Sequence, residues 1–184
     1  MSVKPKPRMT VDEFLAWGEG RPGRRELLDG EVFAMSPERV RHAETKFAAQ
    51  LALRAAIRRE GLPCQVLPDG MTIRIERTTA FEPDALVRCG PRLDPDAVEV
   101  TDPLLVVEVL SSSMRSIDTG AKLAGYFSIP SVMHYLLIDT VKRRAIHHQR
   151  RTDGIIETRG VHDGTLTFDP PGITVPLADL YDDA

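Results

Sequence analysis

The run Leu104-Leu105-Val106-Val107-Glu108-Val109-Leu110 constrains the fold of this chain more than any other stretch. A continuous apolar run rich in valine and leucine is typical of a strand buried on both faces of a sheet. An ionised carboxylate in such a strand requires a cationic partner or a metal, because an uncompensated buried charge is strongly destabilising. Glu108 therefore marks a candidate functional site.

A second buried strand is predicted from Asp84 to Arg88. If the two strands are antiparallel neighbours, a register that pairs Leu86 with Val106 also pairs Asp84 with Glu108. Like charges opposite each other destabilise a sheet, so a cation must offset them. A hard divalent metal is the obvious candidate, since magnesium is usually held by one or two carboxylates. The alternative is that the acids are scattered and hold no metal.

Lys122 is the candidate cation from the protein itself. It lies in a predicted helix that Asp118 and Thr119 could cap and that Pro130 ends. An ammonium group beside a metal site can orient the attacking water and stabilise negative charge developing on phosphorus. The alternative is a surface ion pair with Asp118, four residues earlier on the helix.

The N-terminal segment predicts a helix and a hairpin. Thr10-Val11-Asp12-Glu13 fits a capping box, so a short helix is expected over Val11–Trp17. Asp29-Gly30 between apolar flanks predicts a two-residue hairpin loop that places Glu26 opposite Phe33. Glu26 then either points toward a site or lies at solvent, and the pattern leaves both open.

A long amphipathic helix is predicted from Ser36-Pro37 to Gly61. Its apolar stripe is expected to consist of Val40, Phe47, Leu51 and Ala55. His42 lies near the helix start and off this stripe. A surface position is the more common outcome for such a histidine, and a functional role is the alternative.

The remaining periodicity completes one α/β domain. No internal repeat and no linker interrupts the chain, so we expect a flexible tail over residues 1–8 and a single domain over residues 9–184. Further strands are predicted at Cys64–Leu67, Met71–Glu76, Met133–Ile138, Arg144–Gln149 and Thr165–Phe168.

Composition narrows the compartment and the partners. The net charge of -3 shows no global basic character, so contact with nucleic acid would need a local patch. No stretch approaches the roughly 18 apolar residues of a membrane span, which predicts a protein without a membrane segment. Cys64 and Cys89 are expected to be buried thiols rather than a disulfide, in a reducing cytoplasm.

Weaker candidates accompany these residues. Ser111-Ser112-Ser113 lacks the G-x-S-x-G elbow of a nucleophilic serine. His147 and His148 are neighbours on a predicted strand and would point to opposite faces, which argues against a shared metal. Basic residues surround them, and these are expected either to form a solvated hairpin or to contact a phosphate backbone: Lys142, Arg143, Arg144, Arg150 and Arg151.

At these residues the sequence resembles the restriction-endonuclease-like PD-(D/E)XK nucleases, and within them the Uma-two family (domain of unknown function eight-twenty). The order and spacing of several short motifs carry the resemblance along nearly the whole chain. They are Thr10-Val11-Asp12-Glu13-Phe14, Arg25-Glu26-Leu27-Leu28-Asp29-Gly30, His42, Pro83-Asp84, Val106-Val107-Glu108-Val109-Leu110, Lys122 and Tyr126.

The resemblance implies a mixed central sheet flanked by helices, with an N-terminal helix and β-hairpin extension. It also implies that Asp84 and Glu108 are the metal-binding acids and that Glu26 is the acid of the N-terminal hairpin. Leu110 occupies the third position of the E-x-K motif, so the lysine must come from the helix, at Lys122. Homodimers are common in the superfamily, which makes a homodimer an expectation here.

The sequence thus predicts a metal-dependent endonuclease that hydrolyses DNA phosphodiester bonds. Asp84 and Glu108 would hold Mg or Mn, Lys122 would position the attacking water, and Glu26 and His42 would assist. One alternative is a non-catalytic nucleic-acid-binding or oligomerisation module on the same fold. Another is an enzyme that acts on a different phosphate-bearing substrate.

Overall fold

The computed structural model of the protein describes residues 8–110 and 116–181, without the side chains of residues 116–119. The predicted N-terminal tail, the serine run at 111–113 and the side chain of Asp118 therefore lie outside the described residues, apart from Arg8. The proposed ion pair between Asp118 and Lys122 falls there as well.

Three helices and a set of strands make up the described chain. The helices are α1 (Val11–Gly18), α2 (Val40–Arg59) and α3 (Ser116–Ser128), and a 3-10 turn spans Leu177–Leu180. The strands are β1 (Arg25–Leu28), β2 (Glu31–Ala34), β3 (Cys64–Pro68), β4 (Ile73–Glu76), β5 (Thr79–Phe81), β6 (Ala85–Cys89), β7 (Leu105–Leu110), β8 (His134–Asp139), β9 (Arg144–Arg150), β10 (Ile156–Val161), β11 (Thr165–Phe168) and β12 (Ile173–Pro176).

A six-stranded mixed sheet in the order β10-β9-β8-β7-β6-β3 forms the centre of the fold. β7 and β8 are parallel, whereas the other neighbours are antiparallel. The apolar run that contains Glu108 is β7, and its residues Leu105–Val109 are all buried. The predicted register is confirmed, because Leu86 pairs with Val106.

Alternate residues of the central strands face two separate apolar cores. Val107 and Val109 pack with the buried residues of α2 on one face, where β11 and β12 also contribute. Val106 lies in the second core together with Tyr126 of α3. Because successive side chains of a strand alternate between faces, Glu108 shares the α3 face with Val106.

The N-terminal extension forms a second sheet in the order β2-β1-β5-β4. The capping box of α1 is present, with the Thr10 side chain accepting from the backbone N–H of Glu13 and the Glu13 carboxylate accepting from the backbone N–H of Thr10. In the β1–β2 hairpin, Glu26 pairs with Phe33 as predicted. The loop residues Asp29 and Gly30 both have positive φ, which this tight hairpin turn requires.

The predicted start and apolar face of α2 are wrong. The helix begins at Val40 rather than at Ser36-Pro37. Val40, Phe47 and Leu51 are exposed, at 72%, 60% and 50%. The face of α2 that packs against the sheet is instead the one rich in small and branched residues, because these allow the helix to approach the strands closely. The buried residues of this face are Thr45, Ala49, Leu53, Ala56 and Ile57. The stripe predicted from the larger side chains faces the solvent.

The prediction for the two cysteines is also corrected. Cys64 and Cys89 form a disulfide. They are directly opposite each other in the antiparallel pair of β3 and β6, which brings their Cα atoms within 3.9 Å. The spacing of the two cysteines in the sequence does not predict that they pair across β3 and β6, which is why two separate thiols were expected. None of the described helices is long and apolar enough to cross a membrane.

Candidate active site

Asp84 and Glu108 lie side by side at one end of the central sheet. Both are almost fully buried, with 4% and 3% of their surface exposed. The backbone N–H of Val109 donates to Oδ2 of Asp84 at 2.8 Å, and the backbone N–H of Asp84 donates to the carbonyl of Val107 at 3.1 Å. The backbone on either side of Glu108 thus holds Asp84 beside it.

Lys122 of α3 binds two carboxylates. Its Nζ atom lies 2.9 Å from Oε1 of Glu108 and 2.8 Å from Oε1 of Glu26. The hydroxyl of Tyr126, one turn further along α3, donates to the same Glu108 oxygen at 2.8 Å. A lysine ammonium has three N–H donors, so these two ion pairs leave one donor for a water or a phosphate oxygen.

Burial and charge perturb the proton affinity of these groups. Burial raises the pKa of Glu108 to about 7. The ammonium group of Lys122 lowers this pKa and the negative charge of Asp84 raises it, but both effects are smaller than that of burial. Burial lowers the pKa of Lys122, but the carboxylates of Glu108 and Glu26 outweigh it and raise that pKa above its ordinary value. Burial also raises the pKa of Tyr126, so its hydroxyl remains a donor to Glu108.

Arg24 continues the site toward the N-terminal sheet. Its Nε atom lies 2.5 Å from Oε1 of Glu82, and its Nη1 atom lies 2.8 Å from Oε1 of Glu38 and 3.3 Å from Oδ1 of Asp84. Lys46 of α2 binds Glu38 as well, at 2.6 Å. The contacts of Arg24 link the acids of the two sheets into one network.

Negative charge exceeds positive charge in this network. Its described basic members, apart from His42, are Arg24, Lys46 and Lys122, whereas its carboxylates are Glu26, Glu38, Asp69, Glu82, Asp84 and Glu108. Each cation contacts at least two of these acids. An imbalance of this kind in a largely buried cluster favours the binding of a further cation.

His42 identifies the position for a cation within the network. Its Nε2 atom contacts the carbonyl oxygen of Val109 at 2.9 Å and lies 3.7 Å from Oδ2 of Asp84. Its Nδ1 atom is buried without a hydrogen-bond partner among the described residues, 3.6 Å from Oε2 of Glu38. Ligand atoms of Glu38, His42 and Asp84 lie within 4.8 Å of one another. Two carboxylates and an imidazole are suitable donors for a divalent metal such as Mn²⁺.

The structure brings all five residues predicted for the site together. Glu26, Glu108 and Lys122 are in direct contact, and Asp84 joins them to His42. His42 is therefore half-buried and does not lie on the exposed stripe of α2. His42 lies one turn before Thr45, so its side chain is on the buried face of α2.

The weaker candidates lie elsewhere. His147 and His148 do point to opposite faces, since His147 contacts His134 and His148 contacts Thr158. Arg150 donates to backbone carbonyls of residues 127, 129 and 132, which accounts for its charge within the fold.

The sequence analysis did not include Tyr126, Glu38 or Arg24 in the site, and the signal available for each differs. Tyr126 follows Lys122 by four residues, so helical spacing could have placed it on the same face. Glu38 precedes His42 by four residues, but the chain before Val40 is not helical, and the spacing is uninformative there. Arg24 reaches Asp84 across a sequence separation of 60 residues, for which no local pattern exists.

The arrangement of sheet, helices and acid–lysine site defines a protein of the restriction-endonuclease-like fold. The same fold is found in the crystal structure of a "putative nuclease belonging to DUF820" from Anabaena variabilis, with a TM-score of 0.73 and 14% sequence identity. The match covers 94% of this chain and 97% of that one.

Sequence comparison then places the protein. The model of the Uma2 family, described as "Putative restriction endonuclease", matches residues 11–178, so the chain belongs to the Uma2 family. Two proteins of Synechocystis sp., each described as uncharacterized, are both 29% identical to it. One alignment covers 82% of this chain and 78% of the relative, and the other 83% and 87%. Membership of this family supports a nuclease at the general level.

Proposed function

We propose that the protein is a metal-dependent endonuclease that hydrolyses phosphodiester bonds in DNA. The observation that carries this proposal is the convergence of Asp84, Glu108 and Lys122 at one end of the central sheet. Asp84 and Glu108 are proposed to hold Mg²⁺ or Mn²⁺. His42, which the sequence already offered as an assisting residue, and Glu38 supply further donors beside Asp84, in a group of three that does not include Glu108.

The metal, when bound, would polarise the phosphoryl oxygen and acidify the attacking water. Lys122 would use its remaining N–H donor to orient that water or to stabilise charge on the phosphate. Tyr126 and Lys122 together fix the carboxylate of Glu108. Glu26 holds the ammonium from the other side, and its own carboxylate accepts the backbone N–H of Glu82 at 3.1 Å, which fixes its position.

Cleavage of supercoiled plasmid DNA with Mg²⁺ or Mn²⁺ tests the proposal. Glu108→Gln and Lys122→Met are expected to lower the rate by at least about a hundredfold, because each removes a group that acts on the transition state. Glu99→Gln is the matched control, since Glu99 is also partly buried and ion-paired, with Arg74, but contacts none of the site residues. Equal cleavage by all four proteins would refute the proposal.

The two alternatives give different outcomes in the same assay. A non-catalytic nucleic-acid-binding or oligomerisation module would bind DNA without cleaving it, with or without metal. An enzyme that acts on another phosphate-bearing substrate would leave plasmid DNA and RNA intact but hydrolyse a small phosphodiester in a Glu108-dependent manner. Cleavage of RNA in preference to DNA would change the substrate while leaving the site unchanged.

Two further expectations belong with this function. Homodimerisation stays a prediction, and light scattering coupled to size-exclusion chromatography measures it directly. A cytoplasmic location also stays a prediction, which the Cys64–Cys89 disulfide does not favour. Fractionation of cells that express the protein tests it.

A further inference from the structure

A second charged site lies at the other end of α2, against the edge strand β3. It is a pocket of about 480 Å³, within the size range of ligand sites. Arg54 and Arg58 of α2 line it, together with Arg92 from the loop after β6. The described residues of its lining include no aspartate or glutamate. Its other members are Ile57, Gly61, Leu62, Cys64, Gln65 and Val66.

The three arginines of this pocket contrast with the arginines that carboxylates neutralise. Arg24, Arg74 and Arg88 each bind a carboxylate, whereas Arg54, Arg58 and Arg92 have no ion pair or side-chain hydrogen bond within the described chain. Like charges gathered around one concavity repel each other unless an anion lies between them. A guanidinium group matches the oxygens of a phosphate, to which it can donate two parallel hydrogen bonds.

Gln65 adds polar structure to the pocket. Its side-chain oxygen accepts hydrogen bonds from Arg88 at 3.3 Å and from the backbone N–H of Leu93 at 3.1 Å. The second bond anchors the loop next to Arg92. The oxygen of the amide is thereby occupied, and its NH₂ group is available as a further donor to an anion.

A single row of side chains on α2 connects this pocket to the active site. Lys46, Gln50 and Arg54 are four residues apart, so they lie along one face of the helix. Lys46 binds Asp69 at 2.9 Å, and Gln50 donates to the backbone carbonyl of Asp84 at 2.9 Å. The row therefore starts beside Asp69 and Asp84 and follows β3 to the pocket.

Charge along α2 supports a nucleic acid as the occupant. Although the net charge of the chain is -3, the only acid within Val40–Arg59 is Glu44. The basic residues of the helix, apart from His42, are Arg41, Lys46, Arg54, Arg58 and Arg59. From His42 to Arg54 and Arg58 the helix rises by about 18 to 24 Å. That span corresponds to about 5 to 7 base-pair steps of a duplex.

We propose that Arg54, Arg58 and Arg92 bind the phosphate backbone of the nucleic-acid substrate several nucleotides away from the scissile bond. This inference rests on the proposed function for the nature of the substrate. It explains how a protein with net negative charge holds DNA, since the phosphate contacts are concentrated on one helix and one loop.

Binding without cleavage tests the inference. Fluorescence anisotropy with a labelled 20-base-pair duplex, in EDTA, measures the observed affinity over a series of salt concentrations. Arg54→Ala/Arg58→Ala is expected to reduce the magnitude of the log–log salt slope by about 1 to 2, equally for unrelated sequences. Both positions are exposed and helical, where alanine is well tolerated.

Arg151→Ala/Arg159→Ala is the matched control, with the same change of charge. Arg159 lies on β10, at the opposite edge of the six-stranded sheet, and both arginines bind Glu157. The control is expected to keep the salt slope of the wild type. Equal slopes for all three proteins, or no binding of the duplex by any of them, would overturn the inference.

A second arm separates the phosphates of a nucleic acid from a small anion. Inorganic phosphate is titrated into the wild type and into the Arg54→Ala/Arg58→Ala variant by calorimetry. Submillimolar phosphate binding that the variant loses, together with unchanged duplex binding, would identify a free-anion site and overturn the inference. The plasmid cleavage assay reports on the nuclease proposal separately, because it depends on Glu108 and Lys122.

Discussion

The Nζ atom of Lys122 lies 2.9 Å from Oε1 of Glu108, and both side chains are about 95% buried or more. Lys122 alone among the described cations contacts Glu108, so the two residues depend on each other for stability as well as for chemistry. Removing one partner of a buried ion pair leaves the other charge uncompensated and costs roughly 3 to 5 kcal/mol.

The first prediction concerns this pair. In metal-free buffer, Lys122→Met is expected to lower the free energy of unfolding by roughly 3 to 5 kcal/mol. The double variant Lys122→Met/Glu108→Gln is expected to recover part of the loss, with a coupling energy of about 1 to 3 kcal/mol by urea denaturation. The exposed pair Arg151–Glu157 is the control and should couple much more weakly than the buried pair. Strictly additive effects of Lys122 and Glu108 would contradict this.

The second prediction concerns metal affinity. His42→Ala and Glu38→Gln are each expected to weaken Mn²⁺ binding by at least about tenfold, because each removes a donor beside Asp84. Titration calorimetry measures the affinity. His162→Ala and Glu44→Gln, which alter exposed residues, serve as controls and should bind the metal like the wild type. Unchanged affinity in His42→Ala would restrict the ligands to the carboxylates.

The third prediction concerns pH and a buried histidine pair away from the active site. Nδ1 of His134 lies 3.0 Å from Nε2 of His147, and burial lowers the pKa of both from 6.5 to about 4. The folded protein therefore keeps both rings neutral where the unfolded chain binds protons. Stability is expected to fall as the pH drops from 6.5 toward 4, by roughly 3 kcal/mol per histidine, and to be unaffected by this pair above pH 6.5.

Denaturant unfolding at a series of pH values measures this loss, and NMR titration assigns it. The ring signals of His134 and His147 are expected to titrate near pH 4. His162→Ala, which changes an exposed histidine away from this pair, is the control for unfolding. Midpoints of the two buried rings above pH 6 would show that burial does not hold them neutral.

The fourth prediction distinguishes the two faces of α2. Leu53 is fully buried, whereas Leu51 is 50% exposed. Leu53→Ala is expected to lower the free energy of unfolding by roughly 2 to 5 kcal/mol, since it creates a cavity in the core. Leu51→Ala removes the same atoms from the surface and should change it by less than about 0.5 kcal/mol. Thermal and urea denaturation measure the loss of stability in both variants. A larger loss in Leu51→Ala than in Leu53→Ala would support the apolar stripe predicted from the sequence.

The fifth prediction concerns the disulfide between Cys64 and Cys89. It closes a loop of 25 residues, so its reduction is expected to cost about 3 kcal/mol of stability. Urea denaturation with and without dithiothreitol measures the difference. Cys64→Ala/Cys89→Ala should be insensitive to the reductant. A wild type that shows two free thiols under native, non-reducing conditions would refute the bond.

Much of the central architecture could be predicted, because it depends on local patterns. The apolar run that contains Glu108 is typical of a buried strand, and the register assumed for its pairing with the strand after Asp84 is the one observed. The hairpin at Asp29-Gly30 and the capping box at Thr10 are short-range motifs with a direct physical cause. The hairpin and the capping box are decided by residues close together in sequence.

Contacts between distant segments could not be predicted in the same way. The sequence suggests two strands around Pro68-Asp69-Gly70, but β3 joins the central sheet and β4 joins the N-terminal sheet. The face that α2 buries depends on how closely the sheet approaches, which favoured Ala49 and Leu53 over the larger Phe47. The disulfide depends on the pairing of β3 with β6.

The sequence by itself determined that Glu108 needs a cation, because a carboxylate in an apolar strand is too costly to leave alone. It also identified Asp84 as the acid expected beside Glu108 and Lys122 as the cation expected to offset both. Only the tertiary structure added Arg24 and Glu38 to the site and placed His42, for which the sequence left a surface position open, beside Asp84. These residues come from a loop, the segment before a helix and a helix face, which converge in space. Ion pairs and metal sites require short distances between side chains, and for residues far apart in sequence only tertiary packing sets those distances.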